Sequence, residues 1–498
     1  MLDIVFCSTP YSDMDHIYSA PAILKGVVQD NGFTAKTAEF GCILLELCNK
    51  DADRFHQAQK YFLSNSDATG WQAEIIEEFY SRVIEFFKQN PSHYIGLSAI
   101  SYYSHRALYE ICTRIRQAGI TSKIILGGRG TFVPMWKIFY QRYNIRFMES
   151  TLTFGNLLVK KKLADAVVDG DGEDAILNLL TGNTFEPSAQ ISDMFKSPIP
   201  DYSDYRFDLY LFDKDRIAWP VTGSKGCVRD CDFCDVRKQF GKYRYRSGED
   251  IANEMITVSR QTGTRKFMFT DSLVNGGLKP FRDFLETMSR YNAENPDQSI
   301  RWTGQYICRP NTPKDLYPLI ASSGGEGLTI GAESGSNKVL VAMNKKTNVE
   351  ALFQELDLFR KYNITTTLLL MVGHWSETWE EFVEHCRTVV DIVPYVRSGT
   401  VSAVNTGSPM NVLHGTPSYS NAQNNNVIMS DFDPERVWFC KDNPSNTYKE
   451  RIYRQILIAR LAHKLRIPVI NQFENYTNSL TVLENCYNDI DKFYQQFF

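Results

Sequence analysis

No stretch of this chain approaches the ~20 consecutive apolar residues that a membrane-spanning helix requires, so no membrane partner is expected. The opening MLDIVFCSTPYSDMDH lacks the basic-then-apolar pattern of a secretory signal. Neither sign of charge dominates. The 54 basic and 58 acidic residues leave a formal charge of -4, so bulk electrostatics predict no nucleic-acid partner, and only a local patch could bind one. Eleven cysteines in 498 residues are too sparse for a disulfide scaffold. There is no internal repeat of fixed period and no low-complexity segment beyond the Asn-rich stretch 421–426. The dinucleotide fingerprint GxGxxG is also missing. Gly170-x-Gly172 is followed by Glu173 and Asp174 with no third glycine, which argues against NAD. What remains is a globular composition, 43% hydrophobic and 22% charged, expected in a reducing cytoplasm with its cysteines free, buried or metal-bound.

Residues 1–185 alternate short apolar runs with helical patterns. Asp3 to Phe6, Phe33 to Glu39, Tyr94 to Ser98, Lys123 to Leu126 and Asp165 to Val168 read as strands. Helical spacing fills the intervals, as in Ile75, Ile76, Phe79, Val83, Phe86 and Phe87. Such alternation predicts a parallel sheet covered by helices, with ligands beyond the carboxyl ends of the strands. Residues 186–218, punctuated by Pro187, Pro198 and Pro200, read as a linker. A second strand-helix series occupies 219–410, with strands expected at 219–224, 266–270, 301–306, 327–332, 364–372 and 399–404. Six such units suit a partial barrel of the TIM type, (β/α)6. Residues 411–498 are expected to form a helical cap, centred on Tyr448 to Leu465.

The segment Gly226-Cys227-Val228-Arg229-Asp230-Cys231-Asp232-Phe233-Cys234 places three thiols at CxxxCxxC spacing. Three thiolates this close can wrap one soft metal centre, and thiolates favour iron–sulfur clusters or zinc. Closed zinc sites take four ligands, and no Cys or His follows within ten residues of Cys234. Three ligands and one open position point to a four-iron cluster with an exposed iron. Zinc with a distant fourth ligand, or three merely buried cysteines, are the bland alternatives. Cys7, Cys42, Cys48, Cys112, Cys308, Cys386, Cys440 and Cys486 form no CxxC pair, so a single cluster is expected. Around it, Lys225, Arg229, Arg237, Lys238, Lys242, Arg244 and Arg246 outnumber Asp230, Asp232 and Asp235. This basic stretch suits an anionic substrate, an acidic reductant or nucleic acid, or it is a solvated loop. Tyr243 and Tyr245 alternate with its charges, as on a strand or extended arm.

The cysteine spacing, with Phe233 immediately before the third cysteine, resembles the radical S-adenosylmethionine superfamily. The resemblance continues in order through Lys266 to Ser272, Cys308-Arg309-Pro310, Gly331-Ala332-Glu333-Ser334-Gly335-Ser336, Met343-Asn344-Lys345, Gly373 to Thr378 and Gly407 to Met410. It is similar to the elongator and methylthiotransferase-like barrel branch. Trp375 and Ser376 stand where that branch's turn has Pro and Gly. The resemblance implies a [4Fe-4S] cluster on Cys227, Cys231 and Cys234, which reductively cleaves S-adenosylmethionine bound to its open iron. The resulting 5′-deoxyadenosyl radical then abstracts hydrogen from a substrate. It also implies that Phe233 lies near the adenine, Asp271 and Ser272 near the methionine amino group, Arg309 at the carboxylate, and Glu333 with Ser334 at the ribose. Each has a bland reading: Phe233 as core, Asp271 as a turn cap, Arg309 as a surface ion pair. A flavodoxin- or ferredoxin-type reductant is the implied partner, beside an unidentified substrate.

The ordered segments YIGLSAIS, IILGGRG and ADAVVDGDGED resemble the Rossmann-like cobalamin-binding domain that precedes many such barrels. Ser98, Gly127, Gly128, Gly170, Gly172 and Glu173 would then line the ligand loops. The Asp-x-His-x-x-Gly motif is absent, and Asp13-Met14-Asp15-His16-Ile17 continues wrongly after its histidine. The domain is therefore expected either to hold cobalamin without that ligand or to be a plain structural layer. Methylthiotransferases carry a second cluster with an Asn-Thr-Cys turn, which is missing here. The expected activity is radical modification of a substrate. It would be methyl transfer if cobalamin binds, and rearrangement, cyclisation or another modification otherwise. The rival from another class is a non-catalytic RNA- or protein-binding scaffold with a structural metal.

Overall fold

A computed structural model of the protein describes residues 1–10, 14, 16–146, 149, 152–185, 194, 198–211, 217–470, 480–481, 484 and 487–495. Pro187, Asp13, Asp15 and Cys486 lie outside the described residues. The chain divides into two compact units, Met1–Pro220 and Val221–Phe498.

The first unit is built on five strands: β1 (Leu2–Ser8), β2 (Ala35–Glu39), β3 (Ser92–Ser98), β4 (Lys123–Gly127) and β5 (Ala166–Val167). They form one parallel sheet in the order β2-β1-β3-β4-β5. Both faces of the sheet are covered, which explains why the strands read as continuous apolar runs. Along β1, Val5 and Cys7 join the core formed with helices Phe40–Leu47, Trp71–Gln89 and His105–Gln117. The alternate residues Ile4 and Phe6 face Val28 and Ile176 of helices Ala20–Asp30 and Gly172–Thr181. Strand order reverses between β1 and β3, the topological switch point where doubly wound sheets hold their ligands.

Residues 198–211, within the stretch expected as a linker, pack on this same unit. Buried Lys25 pairs with Asp204 at 2.6 Å and Asp201 at 3.2 Å, and Asp204 also accepts the Thr37 N–H. Gly26 lies so close to Ile199 that a Cβ there would sit 2.5 Å from the Ile199 carbonyl oxygen.

The second unit begins at β6 (Trp219–Val221), followed by a small hairpin of β7 (Ser224–Lys225) and β8 (Arg244–Tyr245). Next come β9 (Lys266–Phe269), β10 (Arg301–Thr303), β11 (Gln305–Tyr306), β12 (Leu328–Glu333), β13 (Thr366–Leu370) and β14 (Val401–Asn405). β10 pairs with β9 and β11 with β12, all parallel, so one expected strand is broken at Gly304. A Cβ at Gly304 would lie 2.5 Å from Val274. The six expected strands therefore appear in chain order, each followed by a helix, as in a TIM-type barrel segment.

The C-terminal residues depart from the helical expectation. β15 (Val427–Met429) and β16 (Trp438–Cys440) pair antiparallel. Helix Tyr448–Lys464 follows, and β17 (Val469–Ile470) then adds a further parallel strand beside β14. Strands of two or three residues leave no alternating pattern to read, which is why the sequence signalled only the helix. Among the described residues, no helix is long and apolar enough to cross a membrane.

Candidate functional site

The three cysteines lie on the loop that joins β7 to β8. Gly226 opens it at φ 82°, where a Cβ would meet the Lys242 backbone oxygen at 3.0 Å, so the entry needs glycine. Cys231 is buried, while Cys227 and Cys234 are half-buried. The Cys234 N–H donates to the Cys231 carbonyl at 3.2 Å, and the Arg229 N–H to Cys227 Sγ at 3.3 Å. Burial pushes all three thiols up, Cys231 to about 11, and the Lys345 ammonium pulls each of them back. Thiols raised by burial lose their protons to a bound metal, whose charge replaces the missing solvent. Among the described residues, no three His, Cys, Asp or Glu side chains form a group that could hold a single ion. A cluster in which each thiolate takes its own iron does not require them to meet at one point. The donor set fits such a cluster.

Glu333 ends β12 at φ 60°, just past a register shift between Gly331 and Glu333. Its Oε1 accepts from Lys345 Nζ at 2.7 Å, and both side chains are nearly buried. A Cβ on Gly331 would lie 2.6 Å from that oxygen and 2.9 Å from the ammonium, so the glycine makes room for the pair. Burial draws the ammonium down, but Glu333 and the cysteines outweigh it and hold Lys345 above the ordinary lysine value. The same ammonium stands 5.7 Å from the Phe233 ring centre. Lys345 therefore couples Glu333, Phe233 and the cysteines. It was not among the expected site residues, although it lies in the Met343-Asn344-Lys345 motif. That motif also grips the cluster loop through its backbone: Met343 accepts the Asp232 N–H at 3.1 Å, and the Asn344 amide donates to the Asp230 carbonyl at 2.6 Å.

The other expected residues have protein partners of their own. Asp271 is buried, accepts from the Gly223 N–H at 2.8 Å and from the Ser224 hydroxyl, and is pushed up to about 7 by burial. It ties the end of β9 to the approach of the cluster loop, and Ser272 beside it is half-buried. Arg309 forms no ion pair among the described residues. It donates to the Asn275 and Gly276 carbonyls at 2.7 and 2.8 Å, while its Nε is buried without a partner. Phe233 packs against the cluster of Met410, Val412 and Trp438. Buried Ser334 accepts the Ser336 N–H at 3.2 Å.

The basic stretch is less available than its sequence implied. Arg246 turns inward to a buried pair with Glu254, and Arg237 pairs with Asp230 at 3.1 Å. Tyr243 accepts the Gly277 N–H at 3.1 Å and stacks on Tyr245 of β8, so of the two expected forms, strand or extended arm, the strand is the one found, in the β7–β8 hairpin.

In the first unit, the carboxyl ends of β1, β3 and β4 bring Ser8, Ser98 and Gly127 together. The Thr9 hydroxyl donates to the Ser98 carbonyl at 2.9 Å. Gly128, at φ 88°, passes so close to the β3 loop that a Cβ would lie 2.5 Å from the Ala99 oxygen. At Gly127 a Cβ would meet nothing within 4 Å, so open space lies over that backbone. Gly170 is exposed, whereas Gly172 packs on Leu24 and Glu173 sits in the first turn of helix Gly172–Thr181. Sequence reading missed Glu39 at the end of β2. Tyr210 donates to it at 2.6 Å, and burial pushes it up to about 8.

Residues 221–389 match the family model "Radical SAM superfamily". The anaerobic magnesium-protoporphyrin IX monomethyl ester cyclase of Cereibacter sphaeroides is 23% identical over 273 residues, 50% of this chain and 44% of that enzyme. The chain thus spans less than half the length of that curated relative. Among solved structures, the radical S-adenosylmethionine methyltransferase TsrM from Kitasatospora setae, with cobalamin and a [4Fe-4S] cluster bound, aligns at TM-score 0.58 and 15% identity. That alignment covers 90% of this chain and 84% of TsrM. The cobalamin-dependent enzyme OxsB, with aqua-cobalamin and S-adenosylmethionine bound, aligns at TM-score 0.62 and 14% identity over 92% of this chain and 67% of its own. At these identities the likeness is one of fold, across both units. Residues 221–389 thus carry a radical SAM domain, a family whose cofactors are a [4Fe-4S] cluster and S-adenosylmethionine.

Proposed function

We propose that this enzyme is a cobalamin-dependent radical SAM methyltransferase acting on an unactivated carbon. The observation that carries the reading is the first unit's flavodoxin-like strand order β2-β1-β3-β4-β5, with open space over Gly127 at the carboxyl end of β4, the strand beside the switch-point pair β1 and β3. Backbone without side chains lets a bulky planar cofactor approach the strand ends. Both solved neighbours named above hold cobalamin, and their alignment with this chain runs through that unit.

The cofactors would supply the electron, the carbon radical and the methyl carrier. The protein positions and shields them. Cys227, Cys231 and Cys234 hold the cluster. Glu333, paired with Lys345, would accept from the ribose hydroxyls. Phe233 covers the adenine, Arg309 faces the methionine carboxylate, and Ser98, Gly127 and Gly128 form the ledge under cobalamin.

The test is anaerobic purification after growth with added cobalamin, with iron, sulfide, zinc and cobalt measured on one sample. About four irons and four sulfides per chain are expected, with about one cobalt, and loss of S-adenosylmethionine cleavage in Cys231→Ala. Iron without cobalt would refute methyl transfer and leave hydrogen abstraction with a structural first unit. Zinc without iron would refute the radical reading altogether.

A further inference from the structure

Asp232 stands between two of the cysteines, and each bond it makes leads out of the cluster loop. Its N–H donates to the Met343 carbonyl at 3.1 Å, and its own carbonyl accepts the Ser418 N–H at 2.8 Å. Its Oδ2 accepts from His374 Nε2 at 3.1 Å. Oδ1 is buried without a partner, so among the described residues His374 is the carboxylate's one donor.

His374 is fully buried on the turn that follows β13. Its tautomer follows from geometry. The Ser376 N–H donates to Nδ1 at 3.3 Å, and a backbone N–H can only donate, so Nδ1 carries no proton and Nε2 does. The Ser376 hydroxyl adds a second contact to Nδ1 at 2.7 Å. Ser376 stands where the similar turns have Gly, so this hydroxyl is a feature of this chain.

The turn is held in its own right. The Asn446 amide donates to the His374 carbonyl at 2.7 Å, and the Asn443 amide donates to the Trp375 and Glu377 carbonyls at 3.1 and 2.8 Å. A rigid C-terminal segment thus presents one imidazole N–H to one carboxylate inside the cluster loop.

We propose that His374 is a positioning residue for the cluster: its Nε2–H fixes Asp232, and through it the placement of Cys231 and Cys234. The proposal rests on reading the three cysteines as cluster ligands. Hydrogen bonds one step behind a metal ligand orient it, and losing one typically costs 10–100-fold in metal retention or activity.

Wild type, His374→Gln and His374→Asn, loaded with cluster anaerobically, separate the hydrogen bond from packing. Gln carries a donor nitrogen to the Nε2 position, whereas Asn reaches only as far as Nδ1. Iron release to a chelator, the electron paramagnetic resonance spectrum of the reduced cluster and thermal unfolding are measured on each. We expect His374→Asn to release iron about tenfold faster, or more, with a shifted spectrum, and His374→Gln to match wild type in both. His374→Asn behaving as wild type would overturn the proposal. So would His374→Gln failing equally, because volume rather than the N–H would then matter. Failure of the underlying reading is distinguishable, since wild type itself would then hold no iron before any variant is compared.

Discussion

The buried ion pair between Arg454 and Glu377 allows a worked prediction. Arg454 Nη1 lies 3.0 Å from Glu377 Oε1, and both side chains are essentially inaccessible to solvent. The same guanidinium donates to the Glu377 carbonyl at 2.8 Å, while Glu377 Oε2 has no partner. Arg454→Met keeps most of the apolar stem but leaves a buried carboxylate with the Gly373 N–H as its remaining donor. Stranding one member of a buried pair costs about 3–5 kcal/mol, which for a unit of this size lowers the unfolding midpoint by roughly 5–9 °C. The pH dependence has a definite sign. Burial holds Glu377 above the ordinary carboxylate value, with Arg454 opposing, so the folded state takes up a proton at higher pH than the unfolded chain. Stability then rises as pH falls through that raised value toward about 4.3. Removing Arg454 enlarges the shift, so the variant's deficit should be largest at pH 8 and shrink toward pH 5. Unfolding followed by circular dichroism at both pH values measures this, and Glu377→Gln with Arg454→Met should recover most of the loss. A deficit below about 1 kcal/mol, or one that grows toward pH 5, would refute the reasoning.

Four further outcomes are expected. Gly128→Ala forces a Cβ into the Ala99 carbonyl at positive φ and should cost about 1–3 kcal/mol. Gly127→Ala should leave unfolding unchanged yet weaken cobalamin binding, as read by cobalt retention on gel filtration. Glu333→Gln should retain iron but weaken S-adenosylmethionine binding by about tenfold or more in calorimetric titration, the loss expected for a charged hydrogen-bond acceptor. Asp271, held near 7 by burial, makes the folded state gain stability as pH falls from 8 toward 4. Asp271→Asn should therefore be more stable than wild type at pH 8, by up to about 4 kcal/mol, and the difference should close on acidification.

Many of the parallel strands were legible as short apolar runs flanked by helical spacing, such as Asp3 to Phe6 and Lys123 to Leu126, and the cysteine loop stood out because three thiols in one short segment have few innocent explanations. The break at Gly304 was not legible, since it depends on Phe269 at the end of β9 and Val274 in the loop after it. β15, β16 and β17 were missed for want of length. Within the candidate site, Glu333 was singled out from its segment, whereas the pairing of Lys345 with it emerges only when the chain returns to place an ammonium over Phe233. Asp271 and Arg309 were read as cofactor contacts from the family resemblance of their segments. Their observed partners are mostly backbone groups, which look alike at every position of a sequence. Asp232 and His374 lie 142 residues apart, and neither belongs to a motif that names the other.

The C-terminal segment shows why the hidden part of the site sits where it does. Arg451 is fully buried, and among the described residues no carboxylate pairs with it. It donates to the Trp438, Asn446 and Arg436 carbonyls at 3.2, 2.7 and 2.7 Å, and lies 3.6 Å from the Trp438 ring centre. Burial lowers it to about 10, so the arrangement is no cheap source of stability. What a guanidinium offers is a rigid fork of five donors that can satisfy several carbonyls of an irregular loop at once. Its stem also fills the space where Gly373 would carry a Cβ, which demands glycine there at φ 82°. Arg451 and Arg454 thus fix the two ends of the turn that bears His374: one packs on Gly373, and the other is bonded to Glu377. A lysine at 451 would keep the charge without the fork, releasing loop 436–446 and, through it, the amides of Asn443 and Asn446 that hold the turn. The cluster loop, though 200 residues earlier in the chain, is braced by a segment whose sequence advertises only one basic helix.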